Sequence, residues 1–316
     1  MPAGNKSPNI SVVIPVYGCA DCLSSLCKRL TETLKSITNT YELILVDDRS
    51  PDHAWAEIIK LQDQYPDIKG VRLSRNFGQH LAISAGLAEV QGDIAVVMDC
   101  DLQDPPELIS EMYTKLLEGN DFVLARRVER SHSVFRLAAA KVYFNILSRV
   151  TGEKVDGSYG NFSMLSRKVI DGFLRFGEIE RHYLFIIRWL GFKSSSVEYK
   201  HEERTIGESS YSLKNLLHHA VDGLFFQATI FLGWIVSIGL AFSLFGVALA
   251  IYFIYQYFAY GSVAGWTSVV VLILVCTGIL LSSMGVIGLY VGKVFNQTKG
   301  RPLYLIDEVL DRRSES

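Results

Sequence analysis

The sequence predicts an α/β domain built on a mostly parallel sheet, followed by an interfacial amphipathic helix and two transmembrane helices. Three observations carry this. Apolar runs alternate with helical periodicity over roughly the first 200 residues, an apolar stripe at helical spacing ends at Leu224, and the 70 residues between Asp222 and Lys293 hold no Asp, Glu, Lys or Arg. The chain of 316 residues has 31 Lys and Arg against 33 Asp and Glu, a net charge of −2. That balance lacks the basic excess of a nucleic-acid binder, and 49% hydrophobic with 20% charged residues excludes disorder. So large an apolar share needs a home beyond an ordinary water-soluble core.

Residues 10–16, 43–46, 71–73, 94–98 and 122–125 read as buried strands, each a short apolar run between turn-forming residues. Helical patterns occupy 23–34, 54–64, 80–90 and 106–117. Their alternation implies a parallel sheet, and such sheets bind ligands at the carboxyl ends of their strands. A stripe of Phe135, Ala138, Ala139, Val142, Tyr143, Ile146, Leu147 and Val150 also has helical spacing and suits either core or interface. The five cysteines, Cys19, Cys22, Cys27, Cys100 and Cys276, are odd in number and lack zinc-finger spacing. They predict reduced thiols in a cytosolic compartment. Residues 1–9 hold one Lys and no apolar run, unlike a signal peptide.

The charge-free stretch divides into 231–255 and 267–290, each longer than the roughly 20 helical residues that cross a bilayer. Lys293, Lys299, Arg301, Arg312 and Arg313 follow the second span, whereas the loop between the spans is uncharged. The positive-inside rule therefore puts both termini in the cytoplasm. Before the first span, Leu213, Leu216, Leu217, Ala220, Val221 and Leu224 form one face of a helix expected to lie in the membrane interface. The expected domains are 1–211 (catalytic), 212–228 (interfacial helix), 229–292 (transmembrane hairpin) and 293–316 (cytoplasmic tail). Small residues Gly278, Ser282, Gly285 and Gly288 in the second span would permit close helix contacts and a homo-oligomer.

Two predicted strands run into acids: one into Asp47-Asp48, the other into Asp99-Cys100-Asp101-Leu102-Gln103-Asp104. Carboxylates gathered at one sheet edge repel one another unless a cation or donors neutralise them. Alternation along an extended segment would put Asp99, Asp101 and Gln103 on one side, a ligand set for Mg²⁺ or Mn²⁺ that also takes phosphate oxygens. Asp47 also suits a turn. Asp104, before Pro105-Pro106, suits a helix cap.

These segments carry a resemblance. Ile10-Ser-Val-Val-Ile-Pro-Val-Tyr17, Leu45-Val-Asp-Asp-Arg-Ser50, Asn76-Phe-Gly-Gln79 and Met98-Asp-Cys-Asp-Leu-Gln-Asp-Pro-Pro-Glu107 resemble the successive motifs of family 2 glycosyltransferases with a GT-A fold. With the two spans and Gly207-Glu-Ser-Ser-Tyr-Ser212, the chain resembles the polyprenyl-phosphate branch of that family. The resemblance implies transfer of one sugar, with inversion, from a nucleotide diphosphate to a polyprenyl phosphate at the cytoplasmic face of the inner membrane. UDP-glucose is the leading donor, with an aminoarabinose-type UDP donor and GDP-mannose as alternatives; Asn76-Phe-Gly-Gln-His80 resembles the aminoarabinose enzymes.

The resemblance also assigns residues. Pro15, Val16, Tyr17, Asp47, Asp48, Asn76, Gly78, Asp99 and Arg204 would hold the nucleotide sugar, and Asp99, Asp101 and Gln103 the metal. Arg127, Arg130 and Arg136 would hold the acceptor phosphate, and Asp99, Asp101 and Arg127 would be catalytic. Guanidinium groups suit phosphate geometry. Several positions depart from the family pattern: Ser158 and Asn161 stand where acids are common, leaving Asp156 a distant substitute for a base, and Ser210 stands where a Lys is common. Arg188-Trp189 echoes processive polysaccharide synthases, but Phe185 occupies their Gln position and two spans make no channel. A non-catalytic nucleotide-binding membrane protein is the remaining alternative.

Overall fold

The computed structural model describes residues 10–128, 158–179, 181–199 and 265–311, with scattered helical positions between 239 and 259. The chain divides into two compact units. The first is organised by an eight-stranded sheet of order β7-β5-β6-β4-β1-β2-β3-β8. Its strands are β1 (Ile10–Val16), β2 (Tyr41–Asp47), β3 (Ile68–Leu73), β4 (Ile94–Val97), β5 (Phe122–Arg127), β6 (Tyr159–Ser166), β7 (Ser194–Tyr199) and β8 (Ile306–Leu310). β1 pairs in parallel with β2 and β4, β2 with β3, and β5 with β7. β6 runs antiparallel between β4 and β5, and β8 antiparallel to β3. The sheet is thus mixed, with its parallel half around β1.

All seven residues of β1 are buried, as expected of a strand covered on both faces. Helix α1 (Ala20–Ile37) buries Leu23, Leu26, Leu30 and Leu34, at i, i+3, i+7 and i+11. Its first turn is capped from a distance: the Ala20 N–H donates to Asp52 Oδ2 at 2.8 Å. α2 (Ala54–Gln64) buries Trp55, Ile58 and Leu61. α3 (Gln79–Ala88) is buried on nearly every side, with Ile83, Gly86 and Leu87 inaccessible or nearly so. Gly86 faces the sheet so closely that an added Cβ would lie 2.3 Å from Val13 Cγ1. A 3₁₀ turn at Pro106–Leu108 leads into α4 (Ile109–Leu117), and α5 (Arg167–Leu174) and α6 (Tyr183–Trp189) follow β6.

The five expected strands and four expected helices are present; β2, β3, β5 and α1 run beyond their expected bounds, β1 and α2 match them, and β4, α3 and α4 are shorter. β6, α5, α6, β7 and β8 were not anticipated. Residues 306–310, expected within a cytoplasmic tail, supply the edge strand of the sheet. Lys69 Nζ is 2.7 Å from Glu89 and 3.4 Å from Asp311, Arg49 pairs with Asp307, and Trp55 Nε1 donates to Glu308.

The expectation of reduced thiols is corrected in part: Cys19 and Cys100 form a disulfide with Cα atoms 6.3 Å apart, while Cys22, Cys27 and Cys276 carry thiols. The fold brings the two strand ends together across 81 residues of sequence, a proximity that spacing alone does not reveal.

In the second unit, α7 (Trp266–Thr298) has 33 residues, about 50 Å at 1.5 Å per residue. Its segment Cys276–Thr298 is long and apolar enough to cross a membrane. Leu280, Met284, Ile287, Leu289, Val291 and Phe295 are exposed along it. Of the two expected spans, this is the one helix of that character among the described residues. Most of 231–255, the interfacial helix at 212–228 and the stripe from Phe135 to Val150 lie outside the described residues.

Candidate active site

The carboxyl ends of β1, β2 and β4 frame the site. After β1, Tyr17 is 54% exposed, whereas Pro15 and Val16 are buried within the strand. Gly18 takes φ +69°, in the left-handed region that glycine adopts without a Cβ penalty. Its N–H donates to Ser50 Oγ at 2.8 Å, which binds the loop after β1 to the loop after β2.

Asp47 and Asp48 are turned toward the protein's own backbone. Asp47 Oδ1 accepts from the Ser50 N–H at 2.8 Å, and its Oδ2 is 3.4 Å from Arg72 Nε. Asp48 accepts from the N–H groups of Phe77 and Gly78 at 2.7 and 2.8 Å. Burial raises both carboxyl pKa values against the opposing effect of these donors. The pair therefore shapes two loops, and Gly78, at φ +94°, makes the second possible. Asn76 is exposed beside it.

Asp99 follows β4 and gathers the polar side chains of the site. Gln79 Nε2 donates to Asp99 Oδ1 at 2.6 Å, and the Asn161 side chain on β6 also hydrogen-bonds it. Burial, then the charges of Asp104 and Asp101, push the Asp99 carboxyl up to about 7, although Arg127 opposes them. Beyond Asp99 the chain bends: Leu102 has φ +62° and Asp101 Oδ1 accepts from the Gln103 N–H at 3.2 Å. The extended alternation expected for Asp99, Asp101 and Gln103 is therefore replaced by a turn.

Asp104 is not a helix cap. It is 1% exposed and accepts from the Tyr199 hydroxyl on β7, with Arg127 Nη2 at 3.5 Å. Arg127 Nε in turn donates to Tyr199 Oη at 2.9 Å. Burial disfavours the guanidinium charge, but Asp104, Tyr199 and Asp99 more than offset it, so the Arg127 pKa is raised. Gly160 leaves room for this side chain, since a Cβ there would lie 2.8 Å from Arg127 Nη2.

Sequence reasoning missed Gln79, Gly160 and Tyr199 and misread Asp104. Gln79 stood inside a quoted motif, and the third acid of the Asp99, Asp101, Asp104 series was a usable signal. Tyr199 had none, because only the sheet order brings β7 beside β5. Arg130, Arg136, Asp156, Arg204 and Ser210 lie outside the described residues.

Among the described residues, no three His, Cys, Asp or Glu side chains form a ready metal cage. Mg²⁺ and Mn²⁺ do not require one, since such hard ions are often held by one or two carboxylates plus substrate phosphates. The donor chemistry fits: burial, then the charges of Asp104 and Asp101, disfavour the Asp99 carboxylate beyond what Arg127 offsets, a cost that a bound cation would relieve.

The chain is similar to several known proteins. The family pattern described as "Glycosyl transferase family 2" matches residues 11–174. A glycosyltransferase of Synechocystis sp. is 36% identical over 302 residues, covering 95% of both chains. A protein of Photorhabdus laumondii named undecaprenyl-phosphate 4-deoxy-4-formamido-L-arabinose transferase is 32% identical over 307 residues, covering 95% of this chain and 94% of that one. Among solved structures, a glucosyl-3-phosphoglycerate synthase from Mycobacterium tuberculosis matches with a TM-score of 0.49 at 19% identity, over 69% of this chain and 76% of that one.

Proposed function

The chain belongs to glycosyl transferase family 2, and on that premise we propose that it transfers a single sugar, with inversion, from a UDP-sugar to a polyprenyl phosphate at the cytoplasmic face of the inner membrane. The observation that carries the reading is the cluster at the end of β4. Asp99 and Asp101 stand beside Asp104 and a guanidinium held by Tyr199. It offers negative charge for a cation and positive charge for a phosphate within one group of side chains.

A bound Mg²⁺ or Mn²⁺, held by Asp99 and Asp101 with Gln103 nearby, would neutralise the donor diphosphate and stabilise charge on the departing nucleotide. The protein's own residues do the rest. Tyr17, exposed at the end of β1, supplies a face for the base, and the loop that Asp48 braces at Phe77 and Gly78 borders the donor. Arg127 orients the acceptor phosphate. That phosphate, with a second pKa near 6, is already largely dianionic at neutral pH. No strong protein base is then required, which agrees with Asn161 standing where an acid is common. The exposed apolar surface of α7, with Lys293 in its last two turns and Lys299 and Arg301 after it, supports anchorage beside the lipid substrate with the cationic end in the cytoplasm.

UDP-glucose is the first donor to test. A UDP-linked 4-deoxy-4-formamido-L-arabinose is the second, supported by the names of full-length relatives at about 32% identity. Purified protein with Mn²⁺, undecaprenyl phosphate and each labelled donor should give a labelled lipid carrying one sugar. Absence of product with every donor would defeat the reading, and longer chains on the lipid would favour a processive synthase. Asp101→Asn should abolish transfer while leaving the melting temperature within a few degrees of the parent, because it removes a ligand charge and no core volume.

A further inference from the structure

The disulfide occupies an unusual place. Cys100 lies between Asp99 and Asp101, and Cys19 precedes the first residue of α1 in the loop that carries Tyr17 and Gly18. One covalent bond therefore links the segment bearing the proposed metal ligands to the segment bearing the proposed base-contacting residue. We infer that Cys19 and Cys100 form a reversible thiol–disulfide site that holds these two walls in register and so sets donor affinity. The inference rests on the donor reading above for its consequence, though not for the chemistry of the bond.

Three observations support it. First, disulfides in reducing cytoplasm are uncommon, and those that occur there are mostly transient or redox-sensing. A catalytic domain on the cytoplasmic face would meet glutathione and dithiol reductants. Second, the turn carrying Cys100 includes Leu102 at φ +62°, a conformation costly for a branched residue and stable only where its surroundings impose it. The bond at Cys100 is one such constraint two residues away. Third, the neighbouring loops have other ties: Gly18 to Ser50, Ala20 to Asp52, and Asp99 to Gln79. These fasten each wall to other elements; the β1–β4 pairing joins the walls as far as the Met98 N–H to Val13 carbonyl bond at 3.2 Å, and the disulfide joins them directly beyond it. Its reduction would loosen their mutual register without dismantling the fold.

The step balances simply. A dithiol, or two glutathione molecules, supplies two electrons and two protons. The Sγ–Sγ bond breaks, Cys19 and Cys100 become thiols, and the reductant becomes a disulfide. Oxidised glutathione reverses it.

The full chain in detergent micelles should be equilibrated in glutathione buffers from strongly reducing to oxidising, then alkylated and mapped by mass spectrometry. Cys19 and Cys100 should become modified together and regain protection on reoxidation. In parallel, amide hydrogen exchange over residues 98–104 should accelerate at least about tenfold on reduction, while β1 and β2 stay protected. Affinity for UDP with Mn²⁺, by calorimetry, should fall about three- to tenfold. Cys19→Ser should match the reduced parent in both buffers, which excludes Cys22, Cys27 and Cys276 as the source. A bond that persists in every buffer, exchange and affinity that ignore the redox state, or redox-dependent affinity in Cys19→Ser would each overturn the inference. Redox-dependent exchange with no nucleotide binding in either state would instead sink the donor reading and leave the reversible link standing.

Discussion

Asp99 carries a titration with a definite sign. Its carboxyl is pushed from an ordinary value of 3.8 to about 7 by burial and by Asp104 and Asp101. Between about pH 4 and 7 the folded protein therefore keeps a proton that the unfolded chain has released, so stability falls as pH rises through this window. The full penalty is present above pH 7. Asp99→Asn should raise the melting temperature of the metal-free protein by a few degrees at pH 8, give no gain at pH 4, and abolish transfer. Mn²⁺ selects the carboxylate, so its stabilisation of the parent protein should be larger at pH 8 than at pH 5.5. A flat Mn²⁺ response in a thermal-shift series would remove Asp99 as a ligand. Tyr199 tests the neighbouring charge: Tyr199→Phe deprives both Asp104 and Arg127 of their shared hydroxyl. The cost should be about 1–3 kcal/mol of stability, with a raised KM for polyprenyl phosphate if Arg127 orients that group.

At the scale of elements, α3 shows packing overriding propensity. Alanine normally improves a helix over glycine by about 1 kcal/mol. At Gly86, however, the new Cβ would meet Val13 Cγ1 at 2.3 Å and Val46 Cγ2 at 2.9 Å on two central strands. Overpacking of that kind costs about 1–3 kcal/mol, and the shorter distance argues for the upper end. Gly86→Ala should therefore lower thermal stability measurably, and an unchanged or higher melting temperature would show that α3 can lift off the sheet. The same contrast explains what the sequence reveals. β1, β2 and β4 were legible because central parallel strands are apolar on both faces, and α1 because its leucines keep one stripe. β6 and β7 escaped notice: Tyr159-Gly-Asn and Ser194-Ser-Ser open them with polar residues. Asp99 and Asp101 were legible as a pair at a strand end. Asp104's partner on β7 and Cys100's partner after β1 depend on sheet order, which local pattern does not encode.

At the scale of the molecule, the chain adds β8 to its first unit only after the apolar helix α7. A boundary drawn at residue 211 therefore cuts the sheet short. Without residues 302–316, the edge of β3 loses its antiparallel partner, and unpaired edges invite association. The buried Lys69 would also lose Asp311. Burial works against its charge, and Glu89 and Asp311 together more than offset that, leaving its pKa raised. With one acid removed, a nearly buried ammonium keeps a single partner, a costly arrangement in a medium of low polarity. Trp55 Nε1 and Arg49 lose Glu308 and Asp307 as well. Residues 1–211 alone should melt several degrees below the same fragment fused through a flexible linker to 302–316, and should form oligomers at lower concentration. Size-exclusion chromatography with a thermal-shift assay compares the two. Equal stability and equal monodispersity would mean that β8 merely rests on the edge. The fused fragment recovering alone would show that the polar segment after the apolar helix is part of the catalytic domain's fold.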